Sequence, residues 1–431
     1  MRRAPFFCLL ACLPLAAQQA PIPTATELPS NPFFIKEAWP IGGAGNWDYL
    51  TMDTQARRLY IAHGRSVQVV DVNAGLVVAE IPGFYEAHQI ALDDTGTLGF
   101  VSDGLAAAVH VFNRETLEPE AFILIHCSPR SIAYEPQSKL VFAVCGAVAP
   151  PPQQPPRPSR SGARPAPPPP DGISHVVAID AEKKAVVADF MLAGDFRYAQ
   201  ADGDGGVFVT VGPADHSYLF YHGTGQHAWS QIQHNVVSPR IARLDAEAIA
   251  EEIHRRVSAH PESPAVGPVH FDWSESQPPQ SLVRYLPLTG ACSNPQGLAV
   301  DGHHRRLFVA CDNYRLAVLD SNSGNVVASL TTGPGDDAPA YDADRELIFV
   351  ANGGGYGSLT IVQQDANTDS YAVIQNLPTM ERARTLAVDS SSGEVYLVTD
   401  LHGVDLTKMG GIGTLRFDPV PGSFQVLVIG H

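Results

Sequence analysis

Residues 292–330 read "CSNPQGLAVDGHHRRLFVACDNYRLAVLDSNSGNVVASL". Four short apolar runs, "QGLAVD", "RLFVAC", "RLAVLD" and "NVVASL", are separated by turn residues. Runs of that length and composition, bounded by Asp, Asn, Gly and Ser, mark consecutive β-strands. Two cysteines flank the first pair of runs and His303 and His304 stand between them. The stretch therefore raises two readings, a metal site or one unit of a repeated strand pattern.

The repeat decides between them. Six other segments share the layout of a strand ending in an acid, a turn, and a strand rich in Val, Phe, Leu and Tyr. They are "DYLTMDTQARRLYIAHG", "HQIALDDTGTLGFVSDG", "RSIAYEPQSKLVFAVCG", "RYAQADGDGGVFVTVG", "DAPAYDADRELIFVANG" and "RTLAVDSSSGEVYLVTD". The seven closing acids are Asp53, Asp93, Glu135, Asp202, Asp301, Asp342 and Asp389, and four of the six spacings fall between 40 and 47 residues. A third strand follows each pair ("VQVVDV", "HVVAID", "LAVLD"), and usually a fourth ("LVVAEI", "VVASLT"). Four short strands in a period of about 40 residues predict a β-propeller blade, and seven units predict an all-β, seven-bladed β-propeller. The opening "FFIKEAWPIGG" reads as a fourth strand that closes the ring against the terminal "SFQVLVIGH", removing an open edge. The pattern leaves open whether "TLRF" or "FQVLVI" is the third strand of the last blade.

The motif "LYIAHG…VQVVDVNAGLVVAEI" and its counterpart "LFVACDNYRLAVLDSNSGNVVASL" resemble the YVTN/YncE-like β-propeller repeat. "GNWDYLTMDTQARRLYIAHG", "RTLAVD" and "GSFQVLVIG" are similar to an exported bacterial branch of that family. The resemblance spans nearly the whole chain beyond its first residues. It implies the fold and export, and no settled activity, since propellers host many.

Composition agrees with a packed, exported protein. The 431 residues are 45% hydrophobic and 17% charged, with a formal net charge of −17. Such a surface repels nucleic-acid phosphates and anionic lipid, so neither is an expected partner. "MRRAPFFCLLACLPLAA" places two arginines before a short apolar run and small residues, the layout of a secretory signal peptide over residues 1–17. Residues 18–32 read as a flexible segment and 33–431 as a single propeller domain. The location implied is periplasmic or secreted. "LLAC" fits a lipoprotein box poorly, and no later run reaches transmembrane length.

Two insertions lengthen the array. The first (147–172) contains "APPPQQPPRPSRSGARPAPPPPDG", whose prolines favour a solvated polyproline II loop; Arg157, Arg160 and Arg164 would otherwise make it a docking arm for an acidic partner. The second (213–280) lies in blade four. It opens with a loop carrying His216, His222, His227 and His234, together with Tyr218, Tyr221 and Trp229, a polar cap or lid without specific metal-ligand spacing. After a third strand comes "DAEAIAEEIHRRVSAH", where Ile249, Ile253 and Val257 recur every four residues behind a possible Asp245 cap. That predicts an amphipathic helix on the underside of the ring.

The cysteines follow from the hairpin. Cys292 precedes the first strand of its blade and Cys311 ends the second, and antiparallel pairing brings those ends together. His303 and His304 sit in the far turn, roughly 15–20 Å away at about 3.3 Å per residue, so they cannot share one zinc with the sulfurs. Blade three repeats the arrangement with Cys127 and Cys145. Two disulfides are expected, Cys127–Cys145 and Cys292–Cys311.

Function is sought where blades converge. Five positions before each closing acid stand Asp48, His88, Arg130, Arg197, Gln296, Asp337 and Arg384, all polar; two positions further on stand Leu50, Ile90, Ile132, Ala199, Leu298, Pro339 and Leu386. A polar ring at the channel mouth above an apolar layer suits a ligand pocket. Asp337, Arg384 and Asp48 come from adjacent blades, so an inter-blade salt-bridge chain is the plainer reading, compatible with the first. Three arginines around one opening favour a carboxylate, phosphate or acidic sugar, or an acidic segment of an exported partner. The competing reading is a lactonase-like hydrolase: Asp48 and Asp337 would hold Ca²⁺ or another divalent ion and His88 would act as general base. Arg384 between the aspartates argues against that metal. "NGGGYG" (Asn352–Gly357) lies between strands and reads as a blade turn, without the helix a phosphate loop needs.

Overall fold

The computed structural model describes residues 31–43, 45–147, 172–213, 238–259, 267–274, 276–288, 290–404 and 417–431. The expected signal peptide, the proline-rich stretch and the histidine-bearing loop therefore lie outside the described residues.

Seven sheets form the ring, each with its first strand innermost. The inner strands are Trp47–Asp53, Ala87–Leu92, Pro129–Glu135, Asp195–Ala201, Pro295–Asp301, Asp336–Asp342 and Leu386–Asp389. Second strands such as Leu140–Cys145, Gly206–Gly212 and Leu347–Asn352 are buried along their whole length, which is why they read as continuous apolar runs: both faces of each blade pack on a neighbour. Fourth strands such as Leu76–Pro82 are largely exposed.

The cohesive material is inter-blade. Tyr60, Ala62, Val101 and Phe112 join blades one and two; Phe308, Val318, Ile348 and Val350 join five and six. Ile61, Val70, Tyr396 and Val426 do the same for blades seven and one, so the ring is closed by side chains as well as by backbone. The closing strand is Phe34–Pro40, paired antiparallel with Gln425–Gly430. Gln425–Gly430 also pairs with Glu394–Thr399 and is thus the third strand of blade seven. Phe417–Pro419, at the end of the rival candidate, instead forms a small hairpin with His402–Val404.

The repeated acids turn the chain. Asp53 accepts the Ala56 amide, Asp93 those of Thr97 and Leu98, Asp301 that of His304, and Asp342 those of Asp344 and Arg345. This is side-chain capping of the tight turn between first and second strands. Arg114 then bridges two of these acids, at 2.6 Å to Asp53 and 3.1 Å to Asp93, locking blade two to blade one.

Both expected disulfides are present, with Cα–Cα separations of 5.9 Å for Cys127–Cys145 and 5.4 Å for Cys292–Cys311. His304 bonds the closing acid Asp301 at 2.8 Å, at the opposite end of the hairpin from the sulfurs.

The predicted helix is Ala246–Ser258, capped by the Asp245 carboxylate accepting the Ala248 amide, with Ala246, Ile249 and Ile253 buried. Its N-terminus adjoins the lower turn of blade four, where the Ala246 amide donates to Gly205. The strand that follows was not anticipated. Val269–Trp273 leaves blade four and joins blade three as a fifth strand, parallel to Ala185–Ala193, before Val283–Pro287 returns as the outer strand of blade four. Stacked Phe190 and Phe271 rings, 4.7 Å between centroids, seal that addition.

Candidate ligand-binding site

The seven mouth positions share a backbone cause. In six inner strands the register with the second strand slips by one residue at or beside the mouth position: between Trp47 and Leu50, Ala87 and Ile90, Pro129 and Ser131, Phe196 and Ala199, Pro295 and Leu298, and Asp336 and Ala338. In the seventh the strand begins at Leu386, after Arg384. A bulge frees one residue from the ladder and re-aims its side chain. Asp48, His88, Arg130, Arg197, Gln296, Asp337 and Arg384 are thereby released from the alternation that buries their neighbours.

Glycine makes room for them. A Cβ on Gly104 would lie 2.6 Å from Nε2 of His88, and one on Gly212 would lie 2.8 Å from the Arg197 guanidinium. The "G" that ends "FVSDG" and "FVTVG" is thus the seat of a mouth side chain.

The contacts divide the ring. His88 Nδ1 meets Asp48 Oδ2 at 2.7 Å and its Nε2 lies 3.6 Å from Glu86. Arg384 faces Asp337 at 3.7 Å and donates to the Trp47 carbonyl at 3.4 Å. The expected inter-blade chain is therefore half formed: Arg384 pairs with Asp337, while the Asp48 carboxylate turns to His88. Arg197 is held by Asp195 at 2.8 Å and Gln296 donates to Asp312 at 2.6 Å. Arg130 is exposed and has no ion-pair partner among the described residues.

Electrostatics follow. Burial pushes the Asp337 carboxyl up to about 6; Arg384 opposes this, while Asp48, Asp312 and Asp336 add to it. Burial and Arg130 work against a charged His88, but the Asp48 hydrogen bond and the charges of Asp48 and Glu86 prevail and raise it above its ordinary value.

Below the ring, the floor is aromatic. Tyr49 of blade one and Tyr198 of blade four meet with ring centroids 4.7 Å apart, although their blades lie on opposite sides of the channel. Burial pushes Tyr198 up to about 12, and raises Tyr49 well above its usual value, so both phenols stay neutral. Sequence reasoning missed this pair, along with Glu86, Asp195 and Asp312. Reading the column one residue further along each strand would have exposed the two tyrosines.

No family model and no curated protein matches the sequence. Among solved structures, the chain is similar to a structure of U3-55K (TM-score 0.58, 9% identity, covering 91% of this chain and 97% of that one). It is similar also to the WD40 repeats of RRP9 (TM-score 0.58, 10% identity, 94% and 99% covered). Kuenenia stuttgartiensis hydrazine synthase matches with a TM-score of 0.51, 15% identity, and 78% and 84% covered. At these identities the likeness is one of fold. The chain is a seven-bladed β-propeller with WD40 neighbours.

Proposed function

We propose that this protein is an exported binding or scaffold module of the YVTN/YncE-like kind. Its channel mouth would hold a small anionic molecule or an acidic segment of an exported partner. The observation that supports this most is the set of three guanidiniums around one closed-floored opening, with Arg130 free of any ion-pair partner among the described residues. Arg384 is only loosely paired at 3.7 Å. A carboxylate or phosphate is matched by guanidinium forks. Tyr49 and Tyr198 give the ligand an apolar floor to lie on. Export is supported by the N-terminal sequence and by two disulfides, which persist in oxidising compartments; among the described residues no helix is long and apolar enough to cross a membrane.

A lactonase-like hydrolase would use the same ring, with a divalent ion on Asp48 and Asp337. Asp48 already engages His88 and Arg384 stands against Asp337, so an ion would have to displace both contacts. The deciding experiment is calorimetry and thermal shift of purified protein with di- and tricarboxylates, sugar acids and phosphate. Arg130→Ala plus Arg197→Ala should abolish any shift while leaving the fold intact. Unchanged binding in that variant refutes the anion site, and divalent-metal-dependent lactone turnover lost in Asp48→Asn would favour the enzyme.

A further inference from the structure

On the outer flank of blade three, away from the mouth, four side chains of metal-ligating type converge. His126 lies on the link from blade two, one residue before the bridged Cys127. His175 is on the third strand, opposite Cys145. Asp189 is on the fourth strand, and His270 faces it in the register of the added fifth strand. His126 Nε2 is 3.1 Å from His175 Nδ1 and 3.3 Å from Asp189 Oδ2. His175 Nδ1 is 3.0 Å from Asp189 Oδ1, and His270 Nδ1 is 3.4 Å from Oδ2.

Protons alone leave one contact of that pattern unsatisfied. A ring nitrogen carries either one hydrogen or one lone pair. If His175 Nδ1 donates to Asp189, it faces His126 Nε2, which must itself carry a hydrogen to bond Oδ2. The two hydrogens then point at each other across 3.1 Å. If His126 gives up that hydrogen, a lone pair is left facing the carboxylate. Placing a cation between them lets the nitrogens present lone pairs and the carboxylate its charge. The spacing agrees for His126, His175 and Asp189, whose ligand atoms lie within 4.8 Å of one another: tetrahedral ligands at about 2.0–2.1 Å from zinc lie about 3.3 Å apart. The carboxylate is 4% exposed, whereas His126 and His270 are 50% and 69% exposed, which leaves an entry path on the solvent side.

We propose that His126, His175 and Asp189, joined by a rotation of the exposed His270 side chain beside Asp189, form a binding site for one divalent transition-metal ion, zinc being the type case. Three imidazoles and one carboxylate select the zinc, copper(II) and nickel(II) class over calcium or magnesium, which take all-oxygen shells. The ion clips three parts of the chain that no hairpin connects: the blade two link, the body of blade three, and the strand Val269–Trp273 borrowed from the blade four insertion. This site is independent of the mouth ring and of any reading of its ligand.

The test uses the full chain, stripped with chelator and titrated with Zn²⁺. Calorimetry and elemental analysis should give one equivalent, a raised Tm, and a tetrahedral visible spectrum on replacement by Co²⁺. Because imidazole must be neutral to bind, affinity should fall on acidification. His126→Ala and His270→Ala alter exposed side chains, and each should weaken zinc by at least roughly 10-fold. A control variant carrying His216→Ala, His222→Ala, His227→Ala and His234→Ala separates this site from the blade four loop and should keep the ion. X-ray absorption of the wild-type zinc complex, which needs no variant of the site, should show three imidazole nitrogens. Absence of stoichiometric zinc overturns the proposal, as does zinc retained in His126→Ala/His270→Ala but lost in the loop variant.

Discussion

Replacing Asp337 by Asn tests the electrostatics of the mouth without knowing its ligand. The folded protein holds the Asp337 proton up to about pH 6, against an ordinary value of 3.8. A raised carboxyl means the native state binds more protons than the unfolded chain between those values, so stability falls as pH rises through the window. Above it the cost is complete. A difference of about 2.2 at 1.36 kcal/mol each comes to about 3 kcal/mol at pH 8. At pH 5 the same linkage gives about 1.6 kcal/mol, because much of the proton is still bound. Although the side chain is 27% exposed, desolvation is the largest cause of the cost, with Arg384 opposing it and Asp48 adding to it. Asn removes the charge and keeps the shape. Its effect on unfolding free energy, measured by urea titration, should therefore be more favourable at pH 8 than at pH 5 by about 1.4 kcal/mol. Contributions that do not titrate cancel in that double difference, and the attraction of Arg384 is already contained in the net shift to about 6. An equal effect at both pH values, or a larger benefit at pH 5, would refute the reading of a desolvated carboxylate crowded by a second one.

Other outcomes follow from single contacts. Arg114→Met should destabilise by about 3–5 kcal/mol in chemical denaturation, since it strands Asp53 and Asp93 as buried carboxylates. Paired Cys127→Ala and Cys145→Ala should cost about 3 kcal/mol for a loop of 18 residues, seen as a lower Tm whose remaining response to reductant comes from Cys292–Cys311 alone. Asp48→Asn removes the hydrogen bond and the charge that, together with Glu86, outweigh burial at His88, so the imidazole should titrate at lower pH by NMR. The wild-type His88–Asp48 contribution is present below the ordinary histidine pKa and is lost as pH rises through the elevated one.

How much of this was legible can be argued from blade five. Its four strands, its closing Asp301 and its staple Cys292–Cys311 were all readable because each recurs elsewhere in the chain at the same or nearly the same offset, the two staples spanning 19 and 18 residues. Gln296 became a mouth residue on the same ground, and the structure places it at a bulge with its amide on Asp312. What the repeat cannot carry is anything that breaks it. Val269–Trp273 has a strand-like composition, yet nothing in its sequence says that it deserts blade four for the edge of blade three. That desertion brings His270 beside Asp189, 81 residues away by subtraction of their numbers. His126 and His175 are 49 apart and share no offset with either. Periodicity therefore reveals a ring of residues that one backbone geometry presents seven times. A cluster assembled once, by an insertion crossing between blades, has no sequence period to betray it. The mouth is what the fold offers generically to any chain with this repeat. The flank of blade three is built by an insertion that breaks the repeat, so a metal found there would belong to that insertion and not to the ring.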